Sequence, residues 1–476
     1  MDLHHVLAGI RPFPAAGAPD ITAVHHDSRK VGPGSLFCCL TGLHEDGHQY
    51  AAAAVRRGAV ALLCERKLPI AVPQIIVPDT RAAMALACGN FFGNPAAHMV
   101  ILGITGTNGK TSATHMLQAI GRAFGKKVGL IGTVGAMIDG EKLAFETATS
   151  TTPDPWDLHG LLRRMADAGV QWVAMEVTAH ALWLRKLAGI KFAAAGFLNL
   201  TQDHLNDFGT MAAYFDAKKK LFAGHSLQAA VCVDQPELAR LFEDLTLPKI
   251  SFGEADNAEV RVSDIALRPD GVDLRLGDAD KGVDVTLPMP GRFSAQNAAC
   301  AAAIARLLGV PWAVIRVGLM NARVPGRMES VSGGIAHFYV DYAHTPDGLE
   351  NTLSSARALC RGKLWAVFGC GGDRDAGKRP SMGAIAGQLA DHIILTSDNP
   401  RSEDPDAIIA QIADGLPEGV DAVRLADRAE ALAYAVAHAA TGDVVIVAGK
   451  GHEDYQEING AKRPFDDREV LARLLN

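Results

Sequence analysis

Lys110 and Thr111 close a glycine-rich run, Gly106-Thr107-Asn108-Gly109-Lys110-Thr111-Ser112, whose residue types suit the holding of a phosphate. Glycines let backbone N–H groups approach phosphate oxygens, and the start of a following helix adds partial positive charge. Lys110 neutralises the oxygens and Thr111 offers a hydroxyl to magnesium. An apolar run over 99–104 precedes the glycines, and a helical pattern over 111–124, closed by Gly125, follows them. The general phosphate-loop pattern places a further glycine where this chain has Ile104, with Gly103 and Gly106 on either side. A plain turn between strand and helix has no need of Lys-Thr at the helix start, so the run predicts ATP or a close relative as ligand.

Other chemistry-bearing residues fall at the ends of apolar runs. Glu176 lies in the strand-like run 172–177, and Asp203-His204 follows the run 194–200. A carboxylate and an imidazole at the sheet edge that carries the phosphate loop could hold a divalent cation bridging ATP and a second substrate. A lone histidine is more often a satisfied, half-buried side chain; two candidate ligands at neighbouring strand ends favour the metal. Lys218 sits in Asp216-Ala217-Lys218-Lys219-Lys220, a run that on its own reads as a solvated helix face. Further on, Asp341-Tyr342-Ala343-His344-Thr345-Pro346, Gly369-Cys370-Gly371-Gly372-Asp373-Arg374-Asp375, Ser397-Asp398-Asn399-Pro400-Arg401 and Gly449-Lys450-Gly451-His452-Glu453 each end a strand-like run. Arg374 and Arg401, in loops rich in glycine or proline, suit bidentate recognition of a carboxylate or phosphate, and Glu453 offers a negative charge to an ammonium.

These loops need a scaffold that brings strand ends together. Residues 1–97 combine apolar runs at 59–63 and 74–77 with an alanine-rich helix over 50–57. Residues 98–324 alternate strand-like runs (128–131, 172–177, 194–200, 229–233) with helical patterns over 156–168 and 211–222. That alternation predicts a mostly parallel sheet of the P-loop ATPase kind, covered on both faces, with antiparallel strands added near 254–281. Residues 325–476 repeat the pattern in a Rossmann-like form, with strands at 337–342, 364–368, 392–396 and 444–448 and helices at 349–359, 380–389, 406–412 and 428–440. The expectation is an α/β chain of three domains. In open α/β sheets, ligands bind at the carboxyl ends of the strands, where the polar loops gather.

Size and composition agree with this. The chain has 476 residues, too many for one ordinary core, and 48% hydrophobic with 21% charged residues suits a globular protein. A net charge of −7 gives no footing for nucleic acid or an anionic membrane. No apolar stretch approaches the roughly 18 residues of a membrane span, and the N-terminus does not read as a signal peptide. Eight cysteines without a Cys-x-x-Cys pair indicate neither zinc ribbon nor redox motif, and fit a reducing compartment. A cytoplasmic monomer is expected.

In this order, the phosphate loop, Glu176, Asp203-His204, Lys218, 341–346 and 398–401 resemble the Mur ligases, ATP-dependent enzymes of cytoplasmic peptidoglycan-precursor synthesis. Within that family the likeness is to the branch that adds the third amino acid. It extends to all three segments: Asp27-Ser28-Arg29-Lys30-Val31-Gly32-Pro33-Gly34-Ser35-Leu36-Phe37 with Asp46-Gly47-His48 looks like the family's UDP-binding domain.

The resemblance implies that the D-glutamate γ-carboxylate of UDP-N-acetylmuramoyl-L-alanyl-D-glutamate attacks ATP, giving an acyl phosphate that an amino acid then captures. Two anions meet in that first step, so cations must screen them. Lys110 and magnesium on Thr111, Glu176 and His204 would do so. Family members carry a carbamylated lysine where this chain has Lys218, and the carbamate would hold a second magnesium. Ser28, His44, Thr151, Thr152, Thr178 and Lys186 would bind the UDP-muramoyl-dipeptide, and Asn297 and Arg327 would join the phosphate loop in binding ATP. Asp398, Asn399, Pro400, Arg401, Arg374, Gly449 and Glu453 would bind the incoming amino acid. An arginine in that loop is what meso-2,6-diaminopimelate-adding members use to grip the distal carboxylate. An arginine left unpaired in a pocket closed on lysine would be poorly satisfied. The chain departs from the family in Thr178-Ala179-His180 for a frequent Ser-Ser-His, in Lys186 (beside Arg185) for a common arginine, and in Ser294 for a frequent asparagine. The competing readings are the same ligation with L-lysine or another diamino acid, folylpolyglutamate synthesis, which shares the architecture, and nucleotide-dependent binding without ligase chemistry.

Overall fold

The computed structural model describes residues 1–12, 17–42, 45–143, 151–279 and 281–476. The chain divides into two compact units: Met1–Val260 with Cys300–Gly318, and Arg261–Ala299 with Leu319–Asn476.

The first unit holds two sheets. A small parallel sheet runs in the order Ala23–His25, Ser35–Cys38, Ala59–Cys64, Gln74–Ile76. The larger sheet has Val100–Thr105 near its middle, between Ala194–Phe197 and Trp172–Glu176. Ala229–Cys232 and Lys249–Gly253 extend it in parallel on one side, and Val128–Gly132 on the other. Gly135–Ile138 turns back antiparallel beyond that. Val100–Thr105 and Trp172–Glu176 are buried almost throughout, as a sheet covered on both faces requires. Helix Lys110–Ala123 follows directly from the central strand. The phosphate loop therefore emerges at the carboxyl end of that strand, beside Glu176 and the turn after Phe197.

In the second unit, six strands run in the order Glu329–Val331, His337–Asp341, Val444–Ala448, Leu364–Phe368, His392–Thr396, Val423–Leu425, all parallel except the first. Side chains alternate between two cores. Leu364, Ala366 and Phe368 pack on one face with residues of helices Pro346–Leu359, Lys378–Leu389 and Pro405–Ala413. Trp365 and Val367 pack on the other with residues of Arg428–His438 and Asp467–Leu475. A meander, Val260–Arg268, Gly271–Gly277 and Gly282–Leu287, supplies the antiparallel strands expected near 254–281.

Two elements end three residues earlier than their hydropathy suggests. The strand expected over 194–200 stops at Phe197, because Leu198 and Asn199 turn to meet the phosphate loop. The helix expected over 211–222 closes at Lys219, and a π-type turn, Leu221–His225, follows with Gly224 at positive φ.

Candidate functional site

Gly109 caps helix Lys110–Ala123 in the left-handed region (φ 83°), a conformation that glycine adopts without the Cβ penalty. The loop is held from the neighbouring strand end. Asn199 Oδ1 accepts from the backbone N–H of Thr107 at 3.1 Å and of Asn108 at 2.9 Å, and Asn199 Nδ2 donates to the Asn108 carbonyl at 3.2 Å. Thr107 Oγ1 donates to the Thr201 carbonyl and accepts from the Thr201 N–H. Ser112, in the first turn of the helix, is buried.

Two lysines converge on one loop carbonyl. Lys110 Nζ donates to the carbonyls of Gly106 (3.0 Å) and Thr107 (2.7 Å), and Lys218 Nζ donates to Gly106 at 2.8 Å. Lys218 is 1% exposed and stacks over the Tyr214 ring at 4.5 Å. Burial first, and then the Lys110 charge, push its amine well below the usual lysine range. The solvated lysine face that the sequence run suggests by itself is thus not what the structure has at this position.

Glu176 is fully buried. Its Oε2 accepts from Thr111 Oγ1 at 3.1 Å and Thr133 Oγ1 at 3.0 Å, and its Oε1 from the Thr133 N–H at 2.8 Å. A hydroxyl and a carboxylate oxygen so close together form a hard-donor pair of the kind magnesium prefers. Thr152 is also buried and donates to the Glu176 carbonyl at 2.9 Å, while Thr178 contacts the Thr152 hydroxyl and caps helix Ala179–Trp183. Thr151 lies beside Thr133, hydroxyl to hydroxyl at 3.2 Å. His204 sits apart from Glu176, and no hydrogen bond or ion pair joins them among the described residues. Its neighbours are His180, with ring centroids 4.8 Å apart, and Asp203 and Asp207. Partial burial, with His180, Lys110 and Lys218 nearby, keeps its imidazole below the usual histidine range.

A cleft of about 340 Å³ in the same unit is lined by His26, Glu45, Tyr50, Arg81, Asp154 and Lys186, among others. Lys186 pairs with Asp154 at 2.8 Å inside it, whereas Arg185 is drawn to Asp79 at 2.7 Å. Ser28 lies half-buried on the turn after Ala23–His25. His44 lies outside the described residues.

In the second unit, Asn297 is buried and its Nδ2 has no hydrogen-bond partner among the described residues, leaving a donor for a ligand. The Arg327 guanidinium stacks over Tyr342 at 4.8 Å. Buried Asp341 accepts from the Met328 and Ala343 N–H groups and from the Thr352 hydroxyl, so it braces the 341–346 loop. The Asp398-to-Arg401 loop is wired to Glu453: Asn399 Nδ2 donates to Glu453 Oε2 at 2.8 Å, and Lys450 Nζ reaches the same oxygen at 3.1 Å. Arg401 donates to the Gly372 carbonyl at 2.7 Å and approaches Glu457 at 3.4 Å. A Cβ on Gly449 would stand 2.4 Å from Asp398 Oδ2, so only glycine lets the two loops meet. Arg374 is exposed on the 369–375 loop.

A family model described as the Mur ligase middle domain matches residues 104–305. The models for the Mur ligase glutamate ligase domain and the Mur ligase catalytic domain match residues 326–451 and 20–90. A protein of Bacillus licheniformis named UDP-N-acetylmuramoyl-L-alanyl-D-glutamate–2,6-diaminopimelate ligase is 42% identical over 96% of this chain and 95% of its own. The chain belongs to the Mur ligase family. A solved structure of a ligase of that same name is 30% identical, with a TM-score of 0.70, and covers 100% of this chain and 99% of its own. Mycobacterium tuberculosis folylpolyglutamate synthase, at 19% identity and a TM-score of 0.64 over 78% of this chain and 92% of its own, shares the fold.

In this Mur ligase, several residues that brace these loops carry little signal in the sequence. Asn199 fixes the phosphate loop from 91 residues away, a contact with no local signal. Gly132 and Thr133 cradle Glu176, and a Cβ on Gly132 would lie 2.2 Å from Glu176 Oε1. The Gly-Thr pair ending an apolar run was the available hint. Lys450, fully buried, holds Glu453, and the hairpin Tyr455–Ile458 with Ala461–Pro464 backs Arg401 through Glu457.

Proposed function

We propose that the chain joins meso-2,6-diaminopimelate to the D-glutamate γ-carboxylate of UDP-N-acetylmuramoyl-L-alanyl-D-glutamate, converting ATP to ADP and phosphate in cytoplasmic peptidoglycan-precursor synthesis. One observation carries it. The Asp398-to-Arg401 loop, wired to Glu453, occurs in a chain that matches ligases of that name over nearly its whole length. The three segments 1–97, 98–324 and 325–476, acting as a monomer, would serve UDP-muramoyl binding, ATP binding and amino-acid binding. The three family-model matches, one in each segment, support that division.

In the first step a carboxylate oxygen attacks the γ-phosphorus, forming the acyl phosphate and releasing ADP. An amino group of the donor then attacks the acyl carbon, the amide forms, and phosphate leaves with loss of a proton. Lys110 and the N-terminus of helix Lys110–Ala123, in a loop whose shape Asn199 fixes, neutralise the phosphates as charge shifts between them. Lys186 and Asp154 line a cleft that would take the muramoyl-dipeptide end, and Ser28 would contact the uridine. Asn297 offers its amide to adenine. Arg401, with Arg374, takes the distal carboxylate of the donor, and Glu453, held by Asn399 and Lys450, takes its ammonium.

Magnesium held by Thr111 and Glu176, with His204 and a Lys218 carbamate completing the family's set, would screen the two anions as they approach. The chain's own contribution is to keep Lys218 buried and its amine depressed, because the uncharged amine is the form that adds carbon dioxide and releases a proton. With a heavy-oxygen label in the γ-carboxylate, one labelled oxygen is expected in the phosphate released at each turnover. Unlabelled phosphate alongside amide product would overturn the acyl-phosphate route.

A further inference from the structure

Behind the two amino-acid loops lies an ion pair with no solvent exposure. Arg428, the first residue of helix Arg428–His438, donates through Nε and Nη2 to both carboxylate oxygens of Asp467, at 2.7 and 2.8 Å, and both side chains are 0% exposed. Asp467 opens the last helix, Asp467–Leu475. The guanidinium's remaining reach goes to two backbone carbonyls: Nη1 to Ser397 at 3.3 Å and Nη2 to Ala448 at 3.0 Å. Ser397 follows strand His392–Thr396 and Ala448 ends strand Val444–Ala448, with Leu364–Phe368 lying between the two, and the next residue in each case is a donor-site residue, Asp398 or Gly449.

We propose that Arg428 and Asp467 are a positioning pair that sets the register of the 398–401 loop against the 449–453 loop, and so sets affinity for the amino-acid donor. The inference rests on the functional reading above and deepens it at the donor site. A buried pair is weak evidence for stability, since its desolvation offsets much of its attraction. Its geometry is more informative. One rigid planar group holds two strand ends at a fixed separation, which a flexible ammonium cannot do. The contacts it aligns are Asn399 and Arg401 on one loop and Glu453 on the other, and loss of alignment of about 1 Å at such groups costs up to about a hundred-fold in rate. Arg428 touches no substrate group itself.

The test uses the full chain with UDP-N-acetylmuramoyl-L-alanyl-D-glutamate as acceptor and measures KM for meso-diaminopimelate and KM for ATP separately. Arg428→Lys keeps the charge beside Asp467 but loses the fork to the two carbonyls. The paired change Arg428→Met with Asp467→Leu removes both charges together, so that neither is left buried alone. In both variants KM for meso-diaminopimelate is expected to rise about ten-fold while KM for ATP moves less than about two-fold, and Asp467→Glu is expected to keep most of the wild-type donor KM. Equal movement of the two KM values, or none, overturns the positioning role. So does failure of both variants to fold, which would make the pair a requirement of the fold rather than of the loops. A wild-type chain that releases no ADP with meso-diaminopimelate sinks the functional reading itself and takes this role with it. A working wild type with an unmoved KM ratio sinks the positioning role alone.

Discussion

At Lys218 a side chain with 1% exposure shares the Gly106 carbonyl with Lys110, so two ammonium groups compete for one acceptor in a dry site. The conflict is relieved if one amine is uncharged, and an uncharged amine is chemically ready to become a carbamate. Lys218→Ala is expected to lower kcat by about a hundred-fold, with partial recovery on adding a short-chain carboxylate. Unchanged turnover would remove the carbamate. Gly132 is constrained by a close neighbour. A methyl group there would collide with Glu176 Oε1 at 2.2 Å, so Gly132→Ala must displace the carboxylate or distort the strand, at an overpacking cost of about 1–3 kcal/mol. The magnesium concentration for half-maximal activity is expected to rise several-fold in that variant. An unmoved midpoint in a folded variant would speak against Glu176 as a metal ligand. Both residues show what sequence conceals: Lys218 reads as solvated from its charged neighbours, and only the tertiary contact with Gly106, 112 residues away, reveals its burial.

Among elements, the strands and helices around the phosphate loop were legible because their signals are local: an apolar run, glycines, Lys-Thr, and a periodic helix. Helix Phe293–Leu307 gave no such signal. Its 298–305 stretch is fully buried, so it has no polar face to mark a period. The hairpin 455–464 was missed for the opposite reason, since its strands are half-buried or exposed and mostly polar. Helix Pro155–Asp167 carries a testable burden in His159, which is 3% exposed, with no hydrogen-bond partner for either ring nitrogen among the described residues. Burial lowers its pKa to about 4. Between that value and the ordinary histidine value of about 6.5, the unfolded chain binds a proton that the folded chain refuses, so stability falls as pH drops through this window. The full loss from this group is about 3 kcal/mol. Urea unfolding of wild type and His159→Leu at about pH 7 and about pH 4 is expected to show a smaller pH dependence in the variant. Equal dependence would mean that His159 accepts its proton in the folded state.

For the molecule as a whole, the alternation of strands and helices was enough to give an α/β chain with parallel-rich sheets, because that periodicity survives in every segment. The compact units do not follow chain order: residues 261–299 join the unit that contains the last segment, and 300–318 join the first. Such exchange depends on packing between distant parts of the chain and leaves no mark in local pattern. Seven of the eight cysteines are buried and Cys360 is half-buried, all with free thiols, and no helix among the described residues is long and apolar enough to cross a membrane. The proposed reaction selects an acidic donor and joins it to an ATP-activated carboxylate. ADP release in the presence of UDP-N-acetylmuramoyl-L-alanyl-D-glutamate, compared between meso-diaminopimelate and L-lysine, tests it most directly. The expected result is release that requires both acceptor and donor, with kcat/KM for meso-diaminopimelate at least about a hundred-fold above that for L-lysine. Equal release with the two donors, or none with either, would contradict it.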